Sequence, residues 1–341
     1  MVGATAAGGR VTRGRIAMDA PASAAPAAPL RVCITGAAGY VGALLGAELA
    51  ARPGVTVTGV DLRPRPGGAV PVRTMDIRDP ALAVLLRDER IDAVVHLAAV
   101  LEPTRDRARD FDIDVNGTRN VIAACVAAGV RHLTVTSSGA AYGYHADNPV
   151  PLTEEHPLRG DAAFSYADHK RQVEALLAEA RAQHPALEQL VLRVGPVVGA
   201  ATRNQISALF HRRVLLAVRG YDAPFAFVWD EDLVAVLAHG VTHGVAGVFN
   251  VAGSGALTMR EIGSLLGKPV LAIPAGVLRS MLWAGRRLGV ARYGPEQVRF
   301  LQHRPVLSNA KLLRDFGMPL RKTAREAFVH FLHAQGLGAG R

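Results

Sequence analysis

The chain has 341 residues, 50% hydrophobic and 20% charged, with 39 Lys and Arg against 29 Asp and Glu for a formal charge of +10. That composition excludes a disordered or fibrous protein, and the arginines are scattered singly and in pairs rather than in a basic block with aromatic residues, so no nucleic-acid partner is expected. Two cysteines without ligand or disulfide spacing, and no apolar run of about 18 residues, exclude an expected metal site, disulfide or membrane-spanning segment.

Residues 1–29, rich in Ala, Gly, Pro and Arg and lacking the apolar centre of a signal peptide, read as a disordered N-terminal tail, with Met1 or Met18 as the start. A cytoplasmic location is expected. Val32, Cys33, Ile34 and Thr35 then predict a strand that runs into Gly36, Gly39 and Gly42, after which Ala43, Leu44, Leu45 and Leu49 continue at helical spacing. A strand, tight turn and helix in that order present backbone N–H groups at a helix N-terminus. The partial positive charge there suits a pyrophosphate, and side chains at the glycines would obstruct its approach. The next apolar run, Val55 to Val60, ends in Asp61. A carboxylate at this place accepts both hydroxyls of an adenosine ribose and repels a 2′-phosphate, so the expected cofactor is NAD. Arg63 and Arg65 just beyond it keep NADP as the alternative.

A Pro/Gly loop leads to a short strand over Val70 to Met75 and a helix over Pro80 to Glu89. There follow an apolar strand over Ile91 to Ala99, a helix over Asn116 to Ala128 ended by Gly129, and a strand over His132 to Thr136. Alternating strands and helices predict right-handed crossovers and a parallel sheet covered on both faces, an α/β Rossmann doubly wound fold. Ser137 and Ser138 fall where the last of these strands ends, which is where open α/β sheets bind ligands. Further on, Tyr166 and Lys170 open a helical run reaching about Ala182 and share one of its faces. A neighbouring ammonium and a positive nicotinamide favour the phenolate. Tyr166 then takes a proton from a secondary alcohol as hydride leaves for the cofactor, or returns it to a carbonyl, while Ser138 holds the same oxygen.

Gln189 to Val194 predicts another strand, after which apolar runs shorten. Phe225 to Trp229 alternates, Leu233 to His239 reads as helix, Val248 to Val251 as strand, and Thr258 with Glu261 as a capping box. Val277 to Leu288 is an Arg-bearing amphipathic helix, read as a domain helix or lid rather than a membrane-surface element. Leu307 to Phe316 and Thr323 to Ala334 read as closing helices. The expected organisation is an NAD-binding Rossmann domain over 30–195 and a smaller, mainly substrate-binding C-terminal α/β subdomain over 196–335, with strands returning to the Rossmann core.

In combination TGAAGYVG at Thr35 to Gly42, Asp61, Asp76-Ile77, His96 to Ala99, Asn116-Gly117-Thr118, Ser137-Ser138, Tyr166 with Lys170, and Phe249-Asn250-Val251 resemble the extended short-chain dehydrogenase/reductases. More narrowly, they resemble the NAD-dependent epimerase/dehydratase family, over about residues 30–335. The resemblance implies a seven-stranded Rossmann domain, a Ser138, Tyr166 and Lys170 triad, adenine contacts from Asp76 and Ile77, and a cofactor wall of Leu97, Ala98 and Ala99. It also implies that Tyr40, Val41, Leu62 and Asn116 belong to the cofactor site and that the chain forms a homodimer.

Three departures bear on the small-molecule substrate. Gly139 and Ala140 stand where dehydratases of the family carry an acidic pair, so elimination of water is not expected. Pro196 occupies the place of an Asn usual in sugar-nucleotide epimerases, and apolar Phe225 lies near the place of a diphosphate-gripping Arg, a task left to Arg299 or Arg304. Ser138, Gly139, Tyr166, Pro196, Phe225 and Arg299 are therefore the candidate substrate contacts. The expected activity is nucleotide-sugar epimerisation. The alternatives are net oxidation or reduction of a more apolar substrate, suited by Phe225, Phe227 and Trp229, and a non-catalytic NAD-sensing regulator.

Overall fold

The structure, a computed structural model, describes residues 28–64, 67–289 and 294–338. The expected tail, apart from Ala28 and Pro29, and also Arg65 lie outside the described residues. The strands are β1 (Leu30–Thr35), β2 (Val55–Asp61), β3 (Val72–Thr74), β4 (Ala93–His96), β5 (His132–Ser138), β6 (Glu188–Val194), β7 (Val197–Val198), β8 (Leu215–Val218), β9 (Val228–Trp229), β10 (Gly247–Val251) and β11 (Val270–Ile273). The helices are α1 (Tyr40–Ala50), α2 (Ala81–Asp88), α3 (Arg107–Phe111), α4 (Gly117–Ala128), α5 (Ser165–Gln183), α6 (Gln205–Phe210), α7 (Asp230–His243), α8 (Met259–Leu266), α9 (Ala275–Arg287), α10 (Gln297–Gln302), α11 (Ala310–Asp315) and α12 (Ala324–Ala334).

Seven strands form one parallel sheet in the order β10-β6-β5-β4-β1-β2-β3. The chain builds outward from β1 through β2 and β3, then returns to β4 on the other side, so the order reverses between β1 and β4. Side chains alternate across the sheet with period two. Val32 and Ile34 join Leu45, Leu49, Leu233 and Leu237 on one face, while Cys33 joins Leu86, Val121, Cys125 and Leu177 on the other. Both faces are thus buried under helices, which is why these strands read as continuous apolar runs. Burial raises both thiols, that of Cys33 to about 12, so neither is a nucleophile.

The C-terminal lobe has its own core of stacked rings. Phe225 lies on Phe227 with centroids 5.2 Å apart, Phe227 lies on Phe328 at 5.0 Å, and Phe210 meets Phe225 and Phe227 edge-on. Phe225 is 1% exposed. This corrects the expectation that Phe225, with Phe227 and Trp229, lines a substrate: the segment is buried on both sides, with Ala226 and Val228 packed in other clusters. Only Val228–Trp229 of that segment is strand, with Phe225 bridging to Leu257.

Three element bounds also differ from expectation. The strand expected to reach Ala99 leaves the sheet after His96, because the backbone at Ala98 passes against Gly36. The helix expected from Asn116 begins upstream, with α3 running through a π-helical turn, Asp112–Asn116, into α4. Leu307, expected in a helix, instead bridges to Leu152, and α11 starts at Ala310. Among the described residues no helix is long and apolar enough to cross a membrane, and no three His, Cys, Asp or Glu cluster as a metal site.

Candidate active site

The three glycines of the first turn do different work. Gly36 has φ +74°, and a Cβ on it would lie 2.7 Å from the Ala98 nitrogen. A Cβ on Gly42 would collide with the Gly36 carbonyl oxygen, so both are required by close backbone packing. Gly39 is exposed and caps α1 without a side-chain hydrogen bond, and the first turn of α1 holds no acid. The leading N–H groups of α1 therefore face an open, electropositive seat, which fits a pyrophosphate.

Asp61 stands beside that seat at the end of β2. Its carboxylate accepts the Ala38 N–H at 3.0 Å and the Arg63 N–H at 3.3 Å, so the same group braces the turn and presents negative charge where a ribose would lie. Replacing it by Ala is expected to lower the preference for NAD over NADP about tenfold, an effect of the order of one lost charge-assisted contact. Competitive binding of the two dinucleotides measures it, and an unchanged ratio would remove Asp61 from ribose selection.

The other expected cofactor residues divide into two groups. Leu97 and Ala98 line the passage past Gly36 and pack on the two cores, with Ala99 following. Val41 packs on the first core, Ile77 is buried against Gly117, and Leu62 is exposed beyond Asp61. The Asp76 carboxylate, by contrast, is held by Arg78 at 2.6 Å, which lowers its pKa, and Arg78 also meets Asp112 at 2.6 Å. Asn116 donates to Asp112 at 2.8 Å and accepts from Arg119. Its amide thus serves this surface network. Tyr40 donates its hydroxyl to Asp230 at the head of α7, tying the glycine turn to the C-terminal half.

Tyr166 and Lys170 project from the first turns of α5 beside the end of β5, where Ser138 stands close enough to act on the Tyr166 phenol. The Lys170 ammonium donates to the Thr136 carbonyl at 2.9 Å and lies 5.8 Å from the centre of the Tyr166 ring. Ser138 accepts the Ala140 N–H at 3.1 Å, which fixes its oxygen. Ser138, Tyr166 and Lys170 thus stand at the same end of β5. Their electrostatics differ from expectation: burial raises the Tyr166 pKa, the Ser138 hydrogen bond opposes it and Asp114 adds to it. Burial likewise lowers Lys170, against Asp114 and Glu174. The protein alone therefore keeps the phenol protonated, and a further positive charge is needed to make it a base.

A profile of the NAD-dependent epimerase/dehydratase family matches residues 32–252. The chain belongs to this family, and the cofactor is NAD. A UDP-glucose 4-epimerase of Azospirillum brasilense is 31% identical over 223 residues, 58% of this chain and 63% of that protein. An uncharacterized protein of Mycobacterium tuberculosis H37Rv is 26% identical over 327 residues, 92% of this chain and 86% of that protein. Among solved structures, the UDP-glucose 4-epimerase of Thermus thermophilus in complex with NAD has a TM-score of 0.69 at 24% identity. That similarity covers 90% of this chain and 99% of the other.

Beneath Ser138, Tyr166 and Lys170 run two buried polar chains that pattern reading missed. In the first, His96 joins Thr35 at 2.6 Å and Thr118 at 3.0 Å, Thr118 donates to the Asp114 carbonyl, and the Asp114 carboxylate meets His169 at 2.8 Å. It links the strand before the glycine turn to the helix carrying Tyr166. Burial pushes His96 down to about 3, so it is neutral and serves as a fixed hydrogen-bond link. In the second, Glu174 accepts from Ser137 at 2.5 Å and pairs with Arg193 at 2.8 Å, and Arg193 donates to the Tyr142 hydroxyl at 2.8 Å. That hydroxyl meets Asn250 at 2.9 Å, whose own N–H donates to Glu154. Charged residues inside apolar strand and helix patterns were the available signal, since burial of such groups demands partners.

On the substrate side Gly139 lies under Leu307, which a Cβ would contact at 3.0 Å. Pro196 is half-buried, and its carbonyl accepts from Val228 at 3.0 Å. Arg299, expected at a phosphate, is instead paired with Asp161 at 2.7 Å. Arg304 differs. It is 8% exposed, lies 3.9 Å over the Phe225 ring and 5.4 Å from the Phe300 ring, and donates one N–H to Ala223. Among the described residues its Nε and Nη1 have no partner, and burial pushes its pKa down to about 9, with Tyr144 opposing.

Proposed function

We propose that the chain is an NAD-dependent nucleotide-sugar epimerase. The observation that carries this reading is Arg304: a buried guanidinium with two nitrogens unpartnered among the described residues is costly unless an anion arrives to take their N–H groups. A diphosphate supplies that anion with several acceptor oxygens. Tyr144 connects this cation to the triad, stacking edge-on with Phe164, two residues before Tyr166, at 4.5 Å and with Phe300 at 5.4 Å. The apolar-substrate reading loses its support, since the rings that suggested it are core.

NAD, when bound, supplies a reversible hydride acceptor and a second positive charge beside the phenol. Tyr166 takes the proton of a sugar hydroxyl and later returns it to the same oxygen, so the residue ends each cycle unchanged. Ser138, fixed by Ala140, holds that oxygen in line, and Lys170, anchored on Thr136, favours the ionised phenol. Gly139 and Ala140 offer no side-chain acid to drive loss of water.

The test is a panel of UDP- and dTDP-sugars with product stereochemistry and absorbance at about 340 nm followed together, since hydride returned within the cycle leaves no reduced cofactor behind. An isomerised sugar without net absorbance change supports epimerisation. Stoichiometric absorbance change overturns it in favour of a net dehydrogenase.

Arg304→Met is expected to raise the KM for such a sugar about 10- to 100-fold with a smaller change in kcat, the value of a charge-assisted contact present in ground and transition states alike. Thermal stability should hold or rise, because an uncompensated buried charge has gone. A large fall in stability with unchanged KM would make Arg304 structural.

A further inference from the structure

The proton-transfer step leaves one buried carboxylate unused. Asp114 is 4% exposed and lies in the π-helical turn Asp112–Asn116 between α3 and α4, a local widening of the helix that is frequent at functional sites. Its Oδ1 accepts the Val100 N–H at 2.7 Å and its Oδ2 accepts the His169 Nδ1–H at 2.8 Å. Val100 directly follows Leu97, Ala98 and Ala99, and His169 directly precedes Lys170 on α5. The carboxylate thus joins the loop after β4 to the helix that carries Tyr166. The backbone behind it is fixed as well: Thr118 donates to the Asp114 carbonyl at 2.6 Å, so the Thr118 oxygen accepts from His96 Nε2, whose Nδ1 accepts from Thr35. Each hydroxyl and ring nitrogen in this chain has one role, which leaves the turn little freedom to move.

Two carboxylates act on Lys170, Asp114 and Glu174. Glu174 is matched by Arg193 at 2.8 Å, a cation of permanent charge. Among the described residues Asp114 is paired with no arginine or lysine, and its titratable partner is His169. His96 is neutral, and Tyr144, which feels the charge of Tyr166, is held protonated by burial. The unmatched negative charge beside Tyr166 and Lys170 is therefore that of Asp114. One negative charge favours the ammonium and opposes the phenolate.

We propose that Asp114 is a positioning residue that gates Tyr166: pinned by Val100 and His169, its charge keeps the proton on Lys170 and keeps the phenol from ionising until a bound dinucleotide adds positive charge. The base then exists only in the loaded enzyme. This rests on the proton-transfer role proposed for Tyr166 and on no particular sugar.

The experiment follows phenolate absorbance against pH for the full chain, free and with saturating NAD, with Tyr166→Phe as the blank for the other tyrosines. No substrate enters, so an error in the sugar reading leaves the result intact. In the wild type the Tyr166 midpoint should lie above the ordinary tyrosine value of about 10 without NAD and fall when NAD binds. Asp114→Asn keeps the shape of the side chain and removes its charge, so the midpoint of the NAD complex should drop by about one pH unit or more. His169→Gln keeps the carboxylate and removes a ring that is neutral or positive, so the midpoint should stay or rise. A purely structural part would move both variants the same way. No fall on NAD binding, a midpoint unmoved or raised in Asp114→Asn, or a midpoint lowered in His169→Gln overturns the proposal. Should Asp114→Asn not fold, the wild-type response to NAD and the sign of the His169→Gln shift decide it.

Discussion

Tyr166→Phe is expected to lower turnover about 10²- to 10⁴-fold, the usual contribution of a positioned proton donor and acceptor, while leaving dinucleotide binding within about twofold. The substitution removes one oxygen and keeps the ring against Ser138 and the Lys170 ammonium. Ordinary catalytic turnover fixes the first quantity and equilibrium titration with NAD the second. If both fell together, Tyr166 would hold the site up rather than move the proton. Since burial raises the Tyr166 pKa and burial lowers that of Lys170, the rate should climb as pH rises toward the phenol's own range. It should fall once Lys170 loses its proton, because the neutral amine no longer favours the phenolate.

The largest loss of stability is expected from Glu174→Ala. Glu174 and Arg193 are buried together at 2.8 Å, and the same carboxylate takes the Ser137 hydroxyl. Removing one member of such a pair strands the other charge and costs about 3–5 kcal/mol. That corresponds to roughly 10 °C in the unfolding midpoint for a chain of this size. Glu174 lies one turn beyond Lys170 on α5, so kcat should drop as well, by relaxation of the helix that carries Tyr166 and Lys170. Urea and thermal melts of Glu174→Ala and Glu174→Gln measure it. A midpoint unmoved in both variants would show that Arg193 finds other partners in Tyr142 and the Glu154 carbonyl.

Recognition of the family was possible because its signals are local. The turn Thr35 to Gly42 carries its own backbone requirements, seen in the Ala98 and Gly36 contacts a Cβ would violate, and Tyr166 and Lys170 share a face by helix geometry alone. Where pattern reading failed, the deciding contact was distant. Phe225 looked like a substrate wall because alternation reveals that one face of a strand is covered, without revealing by what; the cover is Phe227, Phe210 and the Arg304 guanidinium. Arg299 and Arg304 are equivalent in a linear reading, and only packing pairs the first with Asp161 and leaves two donors of the second unmet. Helix α9 showed its amphipathic spacing from the start, but not which of its apolar edges would be covered.

The sequence by itself determined the order of strands and helices, the glycine turn, and the presence of a serine, a tyrosine and a lysine at strand and helix ends. All of these follow from two- and 3.6-residue periodicities and from the backbone freedom of single residues. The tertiary structure alone decided which polar group each buried polar group meets. Asp114 with His169, Tyr40 with Asp230, and Tyr142 with Asn250 are 55, 190 and 108 residues apart. The energy of a buried charge depends on the group that finally faces it, and chain proximity does not encode that partner.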